Sequence, residues 1–162
     1  YFKNIRLLNK NKNLKWIIFE QKKVIDFLKK NIKIKQFIFT NTIKKKFKNN
    51  INIVLLQSSL QYFKKPYKLL NKLISLDPEY LIIDETPFSN NQKEIVKIQV
   101  IPERIYNVKY PLHILNERKI IQTFRSKYSL IEKKNCIEGL GGYNYRCLVF
   151  HRLKNGLKKK KV

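Results

Sequence analysis

The chain of 162 residues contains no methionine and no alanine, only four glycines, two cysteines and two histidines. Each scarcity removes a class of chemistry. Cys136 and Cys147 show no C-x-x-C spacing, and neither His113 nor His151 sits in an H-E-x-x-H setting. A tetrahedral metal site cannot be assembled from such a set by any recognisable motif. Two isolated thiols instead fit reduced, partly buried side chains in a cytoplasmic protein. Gly139, Gly141 and Gly142 fall together in "GLGG", but no helix follows to supply an N-terminal dipole, so this is no phosphate loop. No run approaches the roughly 18 apolar residues of a helical membrane span, and no signal-peptide pattern is visible. A chain that opens on Tyr1 and lacks methionine is expected to have lost an N-terminal segment.

What is abundant is lysine. Basic residues number 36 against 11 acidic ones, for a formal charge of +25, a balance that in most proteins points to nucleic acid or an anionic membrane. Lysine, isoleucine, asparagine, phenylalanine and tyrosine together fill over half of the chain, as expected under pressure toward A- and T-rich codons. Arginine, the preferred reader of phosphate forks and base edges, is confined to Arg6, Arg104, Arg118, Arg125, Arg146 and Arg152. The charge therefore speaks mainly to solubility, and a nucleic-acid partner ranks last among the readings.

The hydrophobic periodicity predicts an α/β domain over residues 1–153 with a basic, disordered tail at 154–162. "YFKNIRLLNK" reads as the end of a helix, with Phe2, Ile5 and Leu8 on one side. "LKWIIFE" reads as a strand and "QKKVIDFLKK" as a helix with Val24, Phe27 and Leu28 inside. "IKIKQFIF" alternates like a strand near a sheet edge. "INIVLLQ" is an unbroken apolar run, expected of a central parallel strand covered on both faces. "PYKLLNKLI" is a helix opened by Pro66, whose missing N–H costs nothing at the first position; its inner face is Tyr67, Leu70, Leu73 and Ile74. "EYLIID" is a further buried strand, "KIQVIP" a short one, and "NERKIIQTFRSKY" a helix with Ile120, Ile121 and Phe124 inside. "SLIEKKNCIE" and "YRCLVFHRL" read as two strands joined by a glycine-rich hairpin turn. Strand and helix alternating over short connections predict a doubly wound sheet, mostly parallel, with a C-terminal antiparallel hairpin.

Ligands of open α/β sheets bind outside the carboxyl ends of the strands. The residues there are Glu20, then Thr40 and Asn41, then Ser58 through Tyr62, then Asp84 through Thr86. All are polar at the outlets, with Leu60 the exception. A carboxylate at Glu20 offers two acceptor oxygens to a pair of ribose hydroxyls, or simply caps the helix after it. Ser58 and Ser59 suit either a helical cap or a pocket lining. Asp84 and Glu85 are adjacent, so on a regular strand they point to opposite faces and make a poor carboxylate pair.

"LKWIIFEQ", "INIVLLQSSLQYFKKPYKLLNKLI", "EYLIIDETPF" and "IQVIPERIYNVKYPLHILNE", in that order and spacing, resemble an uncharacterised family of S-adenosylmethionine-dependent methyltransferases often found with bacterial surface-polysaccharide genes. The similarity runs to about Arg152, and "SSLQY", "TPF" and Tyr110-Pro111 are its most distinctive pieces. The resemblance implies a class I methyltransferase, Rossmann-like fold, lacking here its first strand and the glycine-rich turn after it. It implies S-adenosylmethionine as cofactor, held by Glu20 with Gln21 and bordered by Ser58, Ser59, Gln61 and Tyr62. It places Asp84, Thr86 and Pro87, with Tyr110 and His113, on the acceptor side, although an aromatic is more usual where His113 stands. The acceptor implied is a small molecule or a saccharide. Methyl transfer needs mainly alignment of nucleophile, methyl and sulfur, which fits a sequence without a visible triad. A non-catalytic protein of the same fold is the alternative reading.

Overall fold

The computed structural model describes residues 14–89, 91, 93–105, 107–136 and 143–154. The helical reading of "YFKNIRLLNK", the "GLGG" turn and the tail beyond Lys154 lie outside them. Backbone contacts divide the chain into two compact units, one ending at Lys44 and the other beginning at Lys45.

The first unit is a strand-helix-strand motif: β1 (Trp16–Phe19), α1 (Lys22–Asn31) and β2 (Phe37–Thr40). β1 and β2 pair in parallel, Trp16 opposite Phe37 through Phe19 opposite Thr40. β2 is shorter than "IKIKQFIF" predicts. The Ile32 amide closes α1 by donating to Leu28, and the Phe37 amide donates to Ile34 in a turn, so Ile32 and Ile34 connect rather than pair, while the Gln36 carbonyl accepts from the Trp16 amide. Ile25 is the buried residue of α1 and Leu28 is half-buried. Val24 and Phe27, expected inside, are 40% and 65% exposed. A four-residue, two-stranded ribbon covers one stripe of a helix, and Ile25 and Leu28, three apart, occupy it.

The second unit holds β3 (Ile53–Gln57), α2 (Pro66–Ile74), β4 (Tyr80–Phe88), β5 (Ile95–Ile101), β6 (Val108–Ile114), α3 (Glu117–Phe124), β7 (Tyr128–Asn135) and β8 (Asn144–Arg152). Four strands form a sheet in the order β3-β4-β8-β7, and β5 and β6 form a separate ribbon. β3 runs parallel to β4, while β4–β8, β7–β8 and β5–β6 are antiparallel. The predicted C-terminal hairpin is therefore present as β7 and β8, and the sheets are mixed rather than mostly parallel. β3 lies at the end of its sheet order, not in the centre, and Ile53 is 57% exposed. The sequence signal misleads because an unbroken apolar run reports hydrophobicity, not which neighbours arrive.

The core forms where the two helices meet the sheet. Leu70, Leu73 and Ile74 of α2 are buried as predicted. So are Ile120 and Phe124 of α3, with Ile121 half-buried. Phe124 stacks on Phe150 of β8 at 4.2 Å between centroids and meets Tyr128 edge-on at 5.9 Å. Such aromatic packing contributes area and directional contacts together. Asn116 caps α3, its side chain accepting from the Lys119 amide at 3.1 Å, which satisfies one of the otherwise unpaired first-turn donors.

The turn into β4 is pinned from the far end of the chain. Asp77 has φ 59°, an uncommon value that aspartate tolerates better than most side chains, and its carboxylate accepts from the Arg152 guanidinium at 2.7 Å. The Tyr128 hydroxyl, on a residue only 2% exposed, donates to the Pro78 carbonyl at 2.8 Å. Burial pushes the Tyr128 phenol up to about 12, with the nearby Asp77 charge acting in the same direction. The folded state thus holds its proton where an ordinary phenol, near 10.0, has lost it. That contribution is full below about pH 10 and disappears as pH rises toward 12. Tyr128→Phe should cost about 1 kcal/mol at neutral pH by orphaning the Pro78 carbonyl. In urea unfolding followed across pH, the gap between the two proteins should narrow over that alkaline window. A constant gap would show that the hydroxyl does not titrate between folded and unfolded states.

Candidate functional site

Glu20 ends the first strand of the first unit. Its amide donates to Thr40 at 3.1 Å, extending the ladder by one residue, and its Oε2 accepts from the Gln21 amide at 3.1 Å. Gln21 occupies the cap position of α1 without a side-chain cap bond. Both residues are exposed, so the carboxylate stands at the strand outlet with acceptor capacity facing water.

In the second unit the outlet is built from β3 and β4 together. Their ladder ends on the pair Gln57 and Asp84. Ser58 follows with φ 42°, and Glu85 with φ 47°. The Ser58 amide donates to the Asp84 carbonyl at 3.0 Å, and its Oγ donates to Glu85 Oε2 at 2.6 Å. Gln57 Nε2 reaches the same carboxylate oxygen at 3.5 Å. Ser59 stands at the cap of a short 3-10 turn, Leu60–Tyr62, without a side-chain cap bond. Gln61 is 2% exposed; its Nε2 donates to the Glu85 carbonyl at 3.3 Å, while its Oε1 has no partner among the described residues.

β4 does not stop at Asp84 but continues through Phe88, with a bulge between Ile83 and Thr86 in its pairing with β8. Thr86 is fully buried, its Oγ1 donating to the Asp84 carbonyl at 3.2 Å, and Pro87 is buried too, its carbonyl accepting from the Leu115 amide. Those two side chains lie within the sheet, and the side chain that emerges at the outlet is Glu85. Asp84 turns elsewhere. Its Oδ1 accepts from the Glu85 amide at 3.0 Å and lies 3.9 Å from the Cys136 sulfur.

The β5–β6 ribbon supplies an aromatic flank. It is tied to β4 through Phe88 and Leu115, with Ser89 N donating to the Leu115 carbonyl at 3.0 Å. Tyr62 meets Tyr110 edge-to-face at 5.2 Å and donates its hydroxyl to Gln99 Oε1 at 3.2 Å. Gln99 and Tyr110 are cross-strand partners, as are Val96 and His113. Since alternate residues face opposite ways along a strand, His113 lies on the other face of the ribbon from Tyr110. The structure therefore brings Ser58, Gln61 and Tyr62 together with Glu85, Gln99 and Tyr110, and sets His113 apart. The strand-end pattern includes Glu85 only as an outlet residue and half of a poor carboxylate pair, and it singles out neither Gln57 nor Gln99. The switch in spacing from Leu81 and Ile83 to Thr86 and Phe88, a sign of a bulge, is the signal that separates Glu85 from Asp84.

Other ionic groups are structural. Arg146 pairs with Glu117, which also accepts from Lys133 at 2.6 Å, and Arg152 pairs with Asp77. Tyr67 donates to Glu94, and Lys119 lies 3.3 Å from Glu94 and 4.3 Å from the Tyr67 ring. Burial, then the Glu94 carboxylate, drives the Tyr67 phenol well above the ordinary range. No group of three metal-ligating side chains occurs among the described residues, and no described helix is long and apolar enough to cross a membrane.

Neither the protein-family models nor the curated proteins contain a match to this sequence. Solved structures do match. One is the 1,6-didemethyltoxoflavin-N1-methyltransferase of Burkholderia thailandensis with bound 1,6-didemethyltoxoflavin and S-adenosylhomocysteine, at TM-score 0.54 and 9% identity, covering 85% of this chain and 60% of that one. The glycopeptide N-methyltransferase MtfA complexed with S-adenosylhomocysteine gives TM-score 0.55 at 11% identity, covering 85% and 72%. A protein of Pyrococcus horikoshii OT3 gives 0.57 at 8% identity, covering 92% and 76%. The chain thus spans less than two thirds of the toxoflavin enzyme. At such identities the likeness is one of fold, shared with two methyltransferases that hold S-adenosylhomocysteine.

The two half-buried, free thiols flank Asp84. Burial first, and the Asp84 charge second, push the Cys147 thiol up to about 11; burial likewise raises Cys136. Thiolate is the reactive form, so alkylation of Cys147 by iodoacetamide should still accelerate above about pH 10, where an ordinary thiol has levelled off. Mass-spectrometric labelling rates across pH test this, and a plateau near 9 would remove the effect of burial.

Proposed function

We propose that the protein transfers a methyl group from S-adenosylmethionine to a small-molecule or saccharide acceptor. The observation that carries the reading is the polar cluster of Gln57, Ser58, Gln61 and Glu85 at the carboxyl ends of β3 and β4, where open α/β sheets bind their ligands. The solved structures of like fold support it, two of them being N-methyltransferases with S-adenosylhomocysteine bound.

In the first unit, Glu20 accepts hydrogen bonds from the cofactor's ribose, with Gln21 beside it. Its position fits: an exposed carboxylate at a strand outlet keeps acceptor sites open for two hydroxyls. In the second unit, Ser58, Ser59, Gln61 and Tyr62 line the cofactor's reactive end, and Tyr110 stands toward the acceptor. The bound cofactor supplies an electrophilic methyl on a sulfonium. The chain's own residues align the acceptor against it, the larger part of catalysis for such a transfer.

Calorimetric titration with S-adenosylhomocysteine tests the reading, and saturable binding is expected. Glu20→Ala should weaken it by roughly 1 to 3 kcal/mol, the cost of leaving bound hydroxyls unpaired. Absence of binding to the unaltered protein would end the enzyme reading, and unchanged affinity in Glu20→Ala would make Glu20 a surface acid.

A further inference from the structure

The outlet of β3 and β4 holds more order than a ligand lining requires. Ser58 and Glu85, side by side past the last pair of the ladder, both adopt left-handed backbone, at φ 42° and 47°. Each such residue costs on the order of 1 kcal/mol. The bulge in β4 makes Glu85 possible: an extra residue re-aims a side chain that regular pairing would hold in the sheet. The carboxylate so released is then fixed. Ser58 Oγ at 2.6 Å and Gln57 Nε2 at 3.5 Å both donate to Oε2, and Gln61 Nε2 holds the backbone carbonyl at 3.3 Å. Among the described residues no donor reaches Oε1, which is the oxygen left to meet a ligand. Beside it Gln61 keeps a buried acceptor without a partner, a rare condition in folded proteins. All of this hydrogen-bonding capacity is of one kind. It accepts, and it carries negative charge in a chain of +25.

A carboxylate with a free oxygen recognises N–H donors and repels anionic groups. The edge-to-face pair of Tyr62 and Tyr110, one residue along from Gln61, adds aromatic rings of the kind that favour alkylammonium groups. We propose that Glu85 is the catalytic residue that meets the acceptor's nucleophile, and that the acceptor is an amine. This rests on the methyl-transfer reading and adds to it the substrate class and the base. Glu85 Oε1 accepts an N–H of the amine and orients the nitrogen lone pair. As the nitrogen–carbon bond to the methyl forms, the carbon–sulfur bond breaks with its electron pair remaining on sulfur, which becomes neutral. The proton left on nitrogen passes to Glu85 and from there to water. Ser58 and Gln57 act through Glu85, as positioning residues.

The test uses two cofactor analogues and needs no acceptor. Sinefungin carries an ammonium group where the transferred methyl stands, and S-adenosylhomocysteine carries nothing there. Calorimetry on the protein should show sinefungin bound more tightly, by about ten-fold, the worth of one charge-assisted hydrogen bond. Glu85→Gln should abolish that preference while the variant still binds S-adenosylhomocysteine, which also certifies its fold. Ser58→Ala should reduce the preference in part. A preference that persists in Glu85→Gln, or that is missing from the unaltered protein, overturns the assignment of Glu85. Failure of both ligands to bind instead overturns the methyl-transfer reading itself.

Discussion

β4 has to satisfy two neighbours at once. On one side it pairs in parallel with β3 from Tyr80 to Asp84, and on the other it pairs antiparallel with β8 from Tyr80 to Phe88. Buried backbone groups cannot go unpaired without a cost of about 1–3 kcal/mol each, so every residue of β4 is constrained by both ladders until β3 ends. Beyond that point one ladder continues alone. The bulge at Asp84 and Glu85 falls where the second constraint is lifted, and it shifts the buried positions from Leu81 and Ile83 to Thr86 and Phe88. The rest of the second unit depends on this shift. It keeps Phe88 in the core and allows the bridge to Leu115 that anchors the β5–β6 ribbon, and it turns one carboxylate out of the sheet.

The same feature separates two acids that are adjacent in sequence. Asp84 is directed toward Cys136 and Cys147 and raises the Cys147 thiol's affinity for its proton. Glu85 is directed toward Ser58 and Gln57. Alternation along a strand already predicts that neighbours diverge, but a bulge breaks alternation, and here the separation comes from the left-handed backbone of Glu85.

Much of this fold was legible in the chain. Apolar periodicity located β1, α1, β3, α2, α3 and both strands of the final hairpin, because each buries a stripe or a face that its spacing announces. Pro66 at the first turn of α2 did what its missing N–H predicts. β6 was not read as a strand because Pro111 interrupts it, and proline argues against a strand unless one edge is open. The exposure of Val24 and Phe27 was not legible either, since periodicity reports which residues share a face and not whether a neighbour covers it. At the site, the polar outlets were found from strand ends alone. Glu85 stood among those outlets, but its role was not legible, because it comes from a backbone conformation that no local pattern of "DETP" makes obligatory.

The β5–β6 ribbon has a liability that its sequence also answers. Val96, Ile98 and Val100 alternate on one face and are each more than half exposed, in a segment of high β-propensity and little charge. Such strands invite edge-to-edge stacking with other chains. Pro111, opposite Ile98, removes one backbone donor from β6, and Lys97 and Lys109 put cations into the two strands. A second ribbon laid alongside would find a gap in its hydrogen-bond ladder and like charge around it. The proline that hid this strand from sequence reading thus serves as its gatekeeper against aggregation.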